Sequence, residues 1–254
     1  MTDLPRTPSF SLKGKSALVT GGSSGIGQGC SVALAEAGAH VVCAARGADR
    51  LNETVGALQA QGWSAEATIL DQGDLSALRQ LFEGRVFDVV VNSAGTARHS
   101  AAIETTPEDF DAVTDVNLRS AYFLSTFAAK ALMAAGKPGS IIHISSQMGH
   151  VGGVDRALYC ATKHGLEGMV KSMAIEWGKQ GIRINTVCPT FIRTPLTQST
   201  FDNADRAAWI LDKIKLGRVG EVEDIMGAVR YLASDASALV TGTSMLIDGG
   251  WTAD

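Results

Sequence analysis

Tyr159 and Lys163 stand four residues apart in the run YCATK, so on a helix the phenol and the ammonium share one face. A cation beside a phenol favours the phenolate, which suits a group that exchanges protons with a bound molecule. Alone, such a pair is most often a surface pair. Its meaning comes from what precedes it. Ser146 lies thirteen residues upstream, with Asn117 earlier still. A glycine-rich run, Thr20-Gly21-Gly22-Ser23-Ser24-Gly25-Ile26-Gly27, joins an apolar stretch to a helical one. Asparagine is mildly unfavourable inside a helix, so Asn117 predicts either a helix distortion or a functional carbonyl.

Glycines let a strand–helix turn tighten and let backbone approach a pyrophosphate, whose charge the helix N-terminus meets. The position after the first strand and before a helix makes this run a dinucleotide signature rather than an ordinary turn. On that reading Gly21, Ser23, Ser24, Gly25, Ile26 and Gly27 hold the phosphates. Residues after the second strand then meet the adenosine ribose. An acid there accepts the 2′-hydroxyl of NAD, whereas Ala45-Arg46 suits the 2′-phosphate of NADP. NADP is therefore the preferred cofactor, and NAD is accepted if Arg46 merely faces solvent. Asp71, ending the third strand, either bonds the adenine amino group or caps the next turn. Asn92-Ser93-Ala94-Gly95 ends the fourth strand, and its small residues let a cofactor lie against the strand's carboxyl end. Asn92, Ala94 and Gly95 are the expected contacts there, although Asn92 also suits a plain Asx turn.

These groups need a frame. Short apolar runs at 16–20, 40–44, 66–70, 86–91, 140–144, 183–187 and 244–247 read as strands, nearly all apolar, as in a parallel sheet covered on both faces. Helical stretches such as 25–37, 109–135, 157–178 and 222–233 alternate with them. That alternation predicts an α/β Rossmann fold, a doubly wound sheet of seven parallel strands. No linker or low-complexity run divides the 254 residues. One catalytic domain is expected over 1–254, with an N-terminal extension at 1–12. The more polar stretch 194–215 reads as a substrate lid or a surface insertion.

The formal net charge of -4 gives no reason to expect nucleic acid or an anionic membrane as partner. No window reaches the roughly 18 apolar residues of a membrane span. Cys30, Cys43, Cys160 and Cys188 lack paired metal-ligand spacing. A cytoplasmic protein without a metal is expected.

In its motifs the chain resembles the short-chain dehydrogenase/reductase family, from about Lys13 to the C-terminus. The family's TGxxxGxG lies at 20–27, a variant of its NNAG at 92–95, its asparagine in DVNLRS and its YxxxK at 159–163. Ser146 has the family's spacing to the tyrosine, and LGRVGEVEDI, VTG and IDGGW follow in order. The resemblance implies that Tyr159 is the general acid/base, activated by Lys163, which also binds the nicotinamide ribose. Ser146 would bond the reacting oxygen and Asn117 would hold a relay water. Pro189, Ile192 and Thr194 would meet the nicotinamide, with hydride passing directly to or from the substrate carbon. A homotetramer is also implied. Two departures stand out: Pro189-Thr190 replaces the family's PG, and the segment 75–85 is short.

Ser146, Gln147, Met148, His150, Arg156, Tyr159, Thr190 and Phe191 are expected to line the substrate, with His99, Val151 and Trp209 nearby. The donors Gln147, His150 and Arg156 favour a sugar, polyol or sugar acid, interconverted between secondary alcohol and ketone. A 3-oxoacyl-acyl-carrier-protein reductase, or another carbonyl reductase, is the alternative. Phe123 counts against it, standing where a carrier-docking arginine is often seen. A catalytically inactive cofactor-binding regulator is a further alternative, opposed by the complete set of four catalytic residue types. The expected partner is a small molecule.

Overall fold

A computed structural model describes residues 3–253. Met1 and Thr2 of the expected N-terminal extension, and Asp254 of the expected domain, lie outside the described residues. The strands are β1 (Ser16–Thr20), β2 (His40–Ala45), β3 (Ala65–Ile69), β4 (Val89–Asn92), β5 (Gly139–Ile144), β6 (Ile182–Pro189) and β7 (Ser244–Ile247). They form one sheet in the order β3-β2-β1-β4-β5-β6-β7, and every pairing is parallel. The chain winds outward from β1 to β3, then returns to place β4 against β1. Ligands of such sheets bind at the carboxyl ends beside that reversal.

The α-helices among the described residues are α1 (Gly25–Glu36), α2 (Ala48–Ala60), α3 (Leu75–Leu81), α4 (Pro107–Thr114), α5 (Ser120–Ala134), α6 (Ala157–Trp177), α7 (Gln198–Phe201), α8 (Ala204–Lys213) and α9 (Glu223–Ala233). They bury both faces of the inner strands, which is why β1, β2 and β4 are apolar on successive residues, whereas the edge strands β3 and β7 stay partly exposed. Ala17 and Val19 of β1 pack with Leu34, Leu51 and Val229 on one side. Leu18, between them, packs with Leu78, Leu124 and Val170 on the other. Each fully buried leucine contributes about 1.5–3 kcal/mol.

Two expectations are corrected in detail. The fourth strand begins at Val89 rather than at Val86. Phe87 turns into the core against Phe82, ring to ring at 5.7 Å. Asp88 ties the strand starts together, its carboxylate accepting from Ser16 N at 2.9 Å and its carbonyl from Ser140 N at 2.9 Å. The stretch expected as one helix over 109–135 is broken by a π-helical turn at Asp115–Arg119. Thr106 caps α4, accepting from Asp109 N at 3.1 Å, with Pro107 in its first turn. The stretch 194–215 folds as α7 and α8, and Ile210 anchors α8 with no exposed surface.

Candidate active site

The glycine turn is built by absence of side chains. Gly21 adopts φ 68°, and a Cβ there would stand 2.8 Å from Ala94 N. A Cβ on Gly27 would lie 2.1 Å from the Gly21 carbonyl oxygen. Gly25 would place one 3.2 Å from the Thr194 side chain. The turn, the loop after β4 and the start of the lid stretch therefore share one cradle. Ser24 precedes α1 without a side-chain cap, and no acid stands in the first turn of that helix. Its first N–H groups remain available to an anion. These residues fit a dinucleotide. Arg46 is exposed just past β2 and pairs with no carboxylate among the described residues. Asp71 serves as a turn former, Oδ1 accepting from Gly73 N at 3.0 Å.

Asn92 is turned into the sheet. Strand register aligns Thr20, Asn92 and His143 across β1, β4 and β5. Thr20 Oγ1 donates to Asn92 Oδ1 at 3.1 Å, and Asn92 Nδ2 meets His143 Nδ1 at 2.9 Å. His143 Nε2 meets Ser125 Oγ at 2.9 Å, and that hydroxyl donates to Ala121 O. The chain is satisfied with a neutral His143 carrying its proton on Nε2. Burial, with Lys163 adding repulsion, pushes the His143 pKa down to about 3. Asn92 thus gives its side chain to the fold, whereas Ala94 and Gly95 remain beside the glycine turn and Asn117.

The four residues expected to do chemistry converge from three elements. α6 carries Tyr159 and Lys163 one turn apart, with the ammonium 5.6 Å from the phenol ring centre. Lys163 Nζ donates to Ile144 O at 2.9 Å, which fixes it over the end of β5. Ser146 follows that strand in extended conformation, its Oγ accepting from Met148 N at 3.1 Å and donating to Gln147 Oε1 at 2.8 Å. Asn117 occupies the π-turn. Its Oδ1 accepts from Thr96 N and its Nδ2 donates to Thr96 O, both at 2.8 Å. Nδ2 also reaches Thr162 Oγ1 at 3.3 Å, linking it to α6. The distortion expected at Asn117 is present, as π-turns often are at functional sites.

The substrate side is dominated by charge. Arg156 is 7% exposed and sits at the start of α6, where the helix dipole opposes a cation. Among the described residues its guanidinium makes one hydrogen bond, Nη1 donating to Asp155 O at 3.3 Å. No carboxylate among the described residues lies within salt-bridge distance of it. Burial, followed by repulsion from Arg206, lowers its pKa. Arg206, on α8, reaches the Asp155 carboxylate at 4.0 Å. Asp155 has φ 57°, the one non-glycine with positive φ among the described residues. His99 stacks edge-on against Tyr159, ring centres 6.0 Å apart. Burial, then Arg156 and Arg206, push its pKa down to about 4.

The remaining expected contacts divide. Gln147 and Met148 are buried beside Ser146. Phe191 joins Trp251 and Phe201 of α7 in an aromatic layer, with Trp209 of α8 packed on Trp251. Thr190 Oγ1 is buried without a partner. Pro189 ends β6, and Ile192 bridges to Gly220. His150 is drawn elsewhere, its Nε2 standing 3.4 Å from Cys188 Sγ and 3.9 Å from the buried Glu167. Sequence reasoning missed Thr96, Asp155 and Arg206. Thr96 adjoins the Gly95 motif, a usable signal; the other two are brought to the site only by folding.

Fold and site together define a dinucleotide-binding oxidoreductase. The family model described as Enoyl-(Acyl carrier protein) reductase matches residues 21–252. The 2-dehydro-3-deoxy-D-gluconate 5-dehydrogenase of Escherichia coli is 37% identical, covering 96% of this chain and 98% of its own. The L-xylulose reductase of Bos taurus is 37% identical over 95% of this chain and 98% of its own. A gluconate 5-dehydrogenase from Burkholderia cenocepacia, solved in complex with NADP and tartrate, superposes with TM-score 0.92 at 32% identity, covering 96% and 98% of the two chains. The chain belongs to the short-chain dehydrogenase/reductase family. The sequence resemblance, the Rossmann fold and the oxidoreductase class are borne out.

Proposed function

We propose that this chain is an NADP-preferring dehydrogenase that interconverts a secondary alcohol and a ketone on a sugar acid. The observation that carries the choice of an acid is Arg156. A cation held at a helix start, buried and unpaired, costs stability, and a substrate carboxylate beside Tyr159 offsets that cost. Arg206 adds a second guanidinium from the lid. The cofactor, when bound, supplies or accepts the hydride. Tyr159 holds the proton exchanged with the substrate oxygen, and Ser146 Oγ bonds that oxygen. Lys163 is held over the tyrosine by Ile144 O, and Asn117 is fixed by Thr96 for a water relay. Arg46, exposed and unpaired, supports preference for a 2′-phosphate.

The E. coli and B. cenocepacia relatives act on sugar acids by name, which supports the same choice over an acyl-carrier substrate. Phe123 packs between Tyr122 and Phe127 and offers no cation for a carrier protein. The reading includes a homotetramer in the cytoplasm. A hollow of about 550 Å³ between α5 and α6, lined by Tyr122, Met133 and Met169, gives a second copy an apolar seat. No described helix is long and apolar enough to cross a membrane.

Initial rates of NADP+ and NAD+ reduction across sugar acids, aldoses and polyols test the reading. A sugar acid should give the highest kcat/KM. Arg156→Gln should lower it about 10–100-fold, since a hydrogen bond to a charge contributes about 1.5–3 kcal/mol, while sparing neutral polyols. A neutral polyol as best substrate, or equal losses on both classes, would overturn it.

A further inference from the structure

Behind the four catalytic residues lies a second polar cluster that the reaction does not use. Glu167 is on α6, one turn beyond Lys163, and is 5% exposed. Its Oε2 accepts from Thr186 Oγ1 at 2.8 Å and from Ser244 Oγ. Among the described residues its Oε1 has one partner, the Cys188 thiol at 3.4 Å. His150 Nε2 stands 3.4 Å from that sulfur and 3.9 Å from Glu167 Oε2. A fourth group faces the same space. Ser145 is 4% exposed, and its Oγ has no hydrogen bond of normal geometry although it lies beside the Cys188 thiol. A Cβ on Gly149 would stand 3.3 Å from that oxygen and 3.1 Å from Glu167 Cγ, close enough to crowd the space.

The spacing is that of metal ligands before they close on an ion. Around a tetrahedral zinc with bonds of about 2.0–2.3 Å, neighbouring ligand atoms stand about 3.3–3.7 Å apart. Cys188 Sγ stands 3.4 Å from both His150 Nε2 and Glu167 Oε1, inside that range, and one ligand atom from each of the three residues lies within 4.8 Å of the other two. Imidazole, thiolate and carboxylate together suit a borderline-soft ion rather than calcium or magnesium.

We propose that His150 Nε2, Glu167 Oε1 and Cys188 Sγ form a zinc site, with Ser145 Oγ or a water as fourth ligand. On binding, a sulfur–zinc bond replaces the S–H bond, and the proton leaves to solvent. Thr186 and Ser244 keep Oε2 oriented, as outer partners of metal sites do. The His150 side chain, 26% exposed, is the entry path. The ion joins α6, β6 and the loop after β5, one turn from Lys163 and four residues from Ser146.

Titration of the metal-free chain with Co2+, followed by competition with Zn2+, tests the site. A single equivalent of Co2+ should produce an intense thiolate-to-metal charge-transfer band, and Zn2+ should remove it. Cys188→Ser should abolish the band, Cys160→Ser should keep it, and His150→Ala should weaken Co2+ binding by about 10-fold or more. Absence of the band in the wild type, or its survival in Cys188→Ser, overturns the proposal. His150 reaches the surface, so its variant decides the matter even where Cys188→Ser does not fold; unchanged affinity there is equally fatal. None of these readings depends on the substrate, so the zinc site and the sugar-acid assignment fail separately.

Discussion

Around Gly21, Gly25 and Gly27 the chain makes room by omitting side chains; around Arg156 it fills room with charge. The cofactor side is backbone geometry: positive φ at Gly21 and Gly25, and an approach at Gly27 that no other residue allows. The proposed substrate side is side-chain electrostatics, with Arg206 reaching the Asp155 carboxylate at 4.0 Å and Arg156 left with the Asp155 backbone carbonyl. The first kind of site accepts one shared ligand and tolerates little change. The second can be retuned by single substitutions without disturbing the sheet. Between them, the Thr20–Asn92–His143–Ser125 chain crosses β1, β4 and β5 and locks the two halves in register.

The sharpest separation of the halves is chemical. Tyr159→Phe keeps the ring that His99 packs against and removes only the hydroxyl. Turnover should fall about 10²–10⁴-fold, the usual share of a general acid/base, while the Kd for NADP, measured by fluorescence titration, stays within about twofold. Near-normal kcat would remove Tyr159 from its role. A weakened Kd would show that the halves are not independent.

The seam between them responds to pH. His143 is buried with its pKa lowered to about 3, against 6.5 for the free side chain. Its contribution is therefore complete above pH 6.5 and is lost as pH falls toward 3, because the unfolded chain takes up the proton first. At about 1.36 kcal/mol per unit, acidification from pH 6.5 to 4 should remove about 3 kcal/mol. His143→Gln should be less stable at neutral pH yet lose less Tm on acidification. Parallel Tm-against-pH curves for the two proteins would rule this out.

The same contrast explains what was legible in the sequence. Glycines at 21, 25 and 27 state a backbone requirement locally, so the cradle could be read before the fold was known. The strands were legible because burial on both faces leaves few polar residues; the start of β4 was misplaced because Phe87 and Asp88 serve the core and the sheet's lower edge. Asn117 announced a distortion by its cost, although not that the distortion would be a π-turn. Arg206 lies fifty residues beyond Arg156 on the amphipathic helix α8, and nothing near it marks a partner. Glu167, four residues after Lys163, belongs to no motif, and only folding brings Thr186 of β6 and Ser244 of β7 against it.

The smallest expected effect falls at the adenosine end of the cofactor side, where a charged side chain joins the backbone cradle. Ala45 is the last residue of β2 and Arg46 projects into solvent beyond it. Nothing in the cradle's backbone distinguishes NADP from NAD, so the preference should rest on this pair alone. Ala45→Asp places a carboxylate that accepts the 2′-hydroxyl of NAD and repels a 2′-phosphate. The ratio of kcat/KM for NADP over NAD should fall about 10–100-fold and reverse, corresponding to about 1.4–2.8 kcal/mol, with kcat on the better cofactor changed little. An unchanged ratio would mean that the phosphate is recognised by backbone after all, and the division between a backbone-built half and a charge-built half would then hold even at the adenosine end.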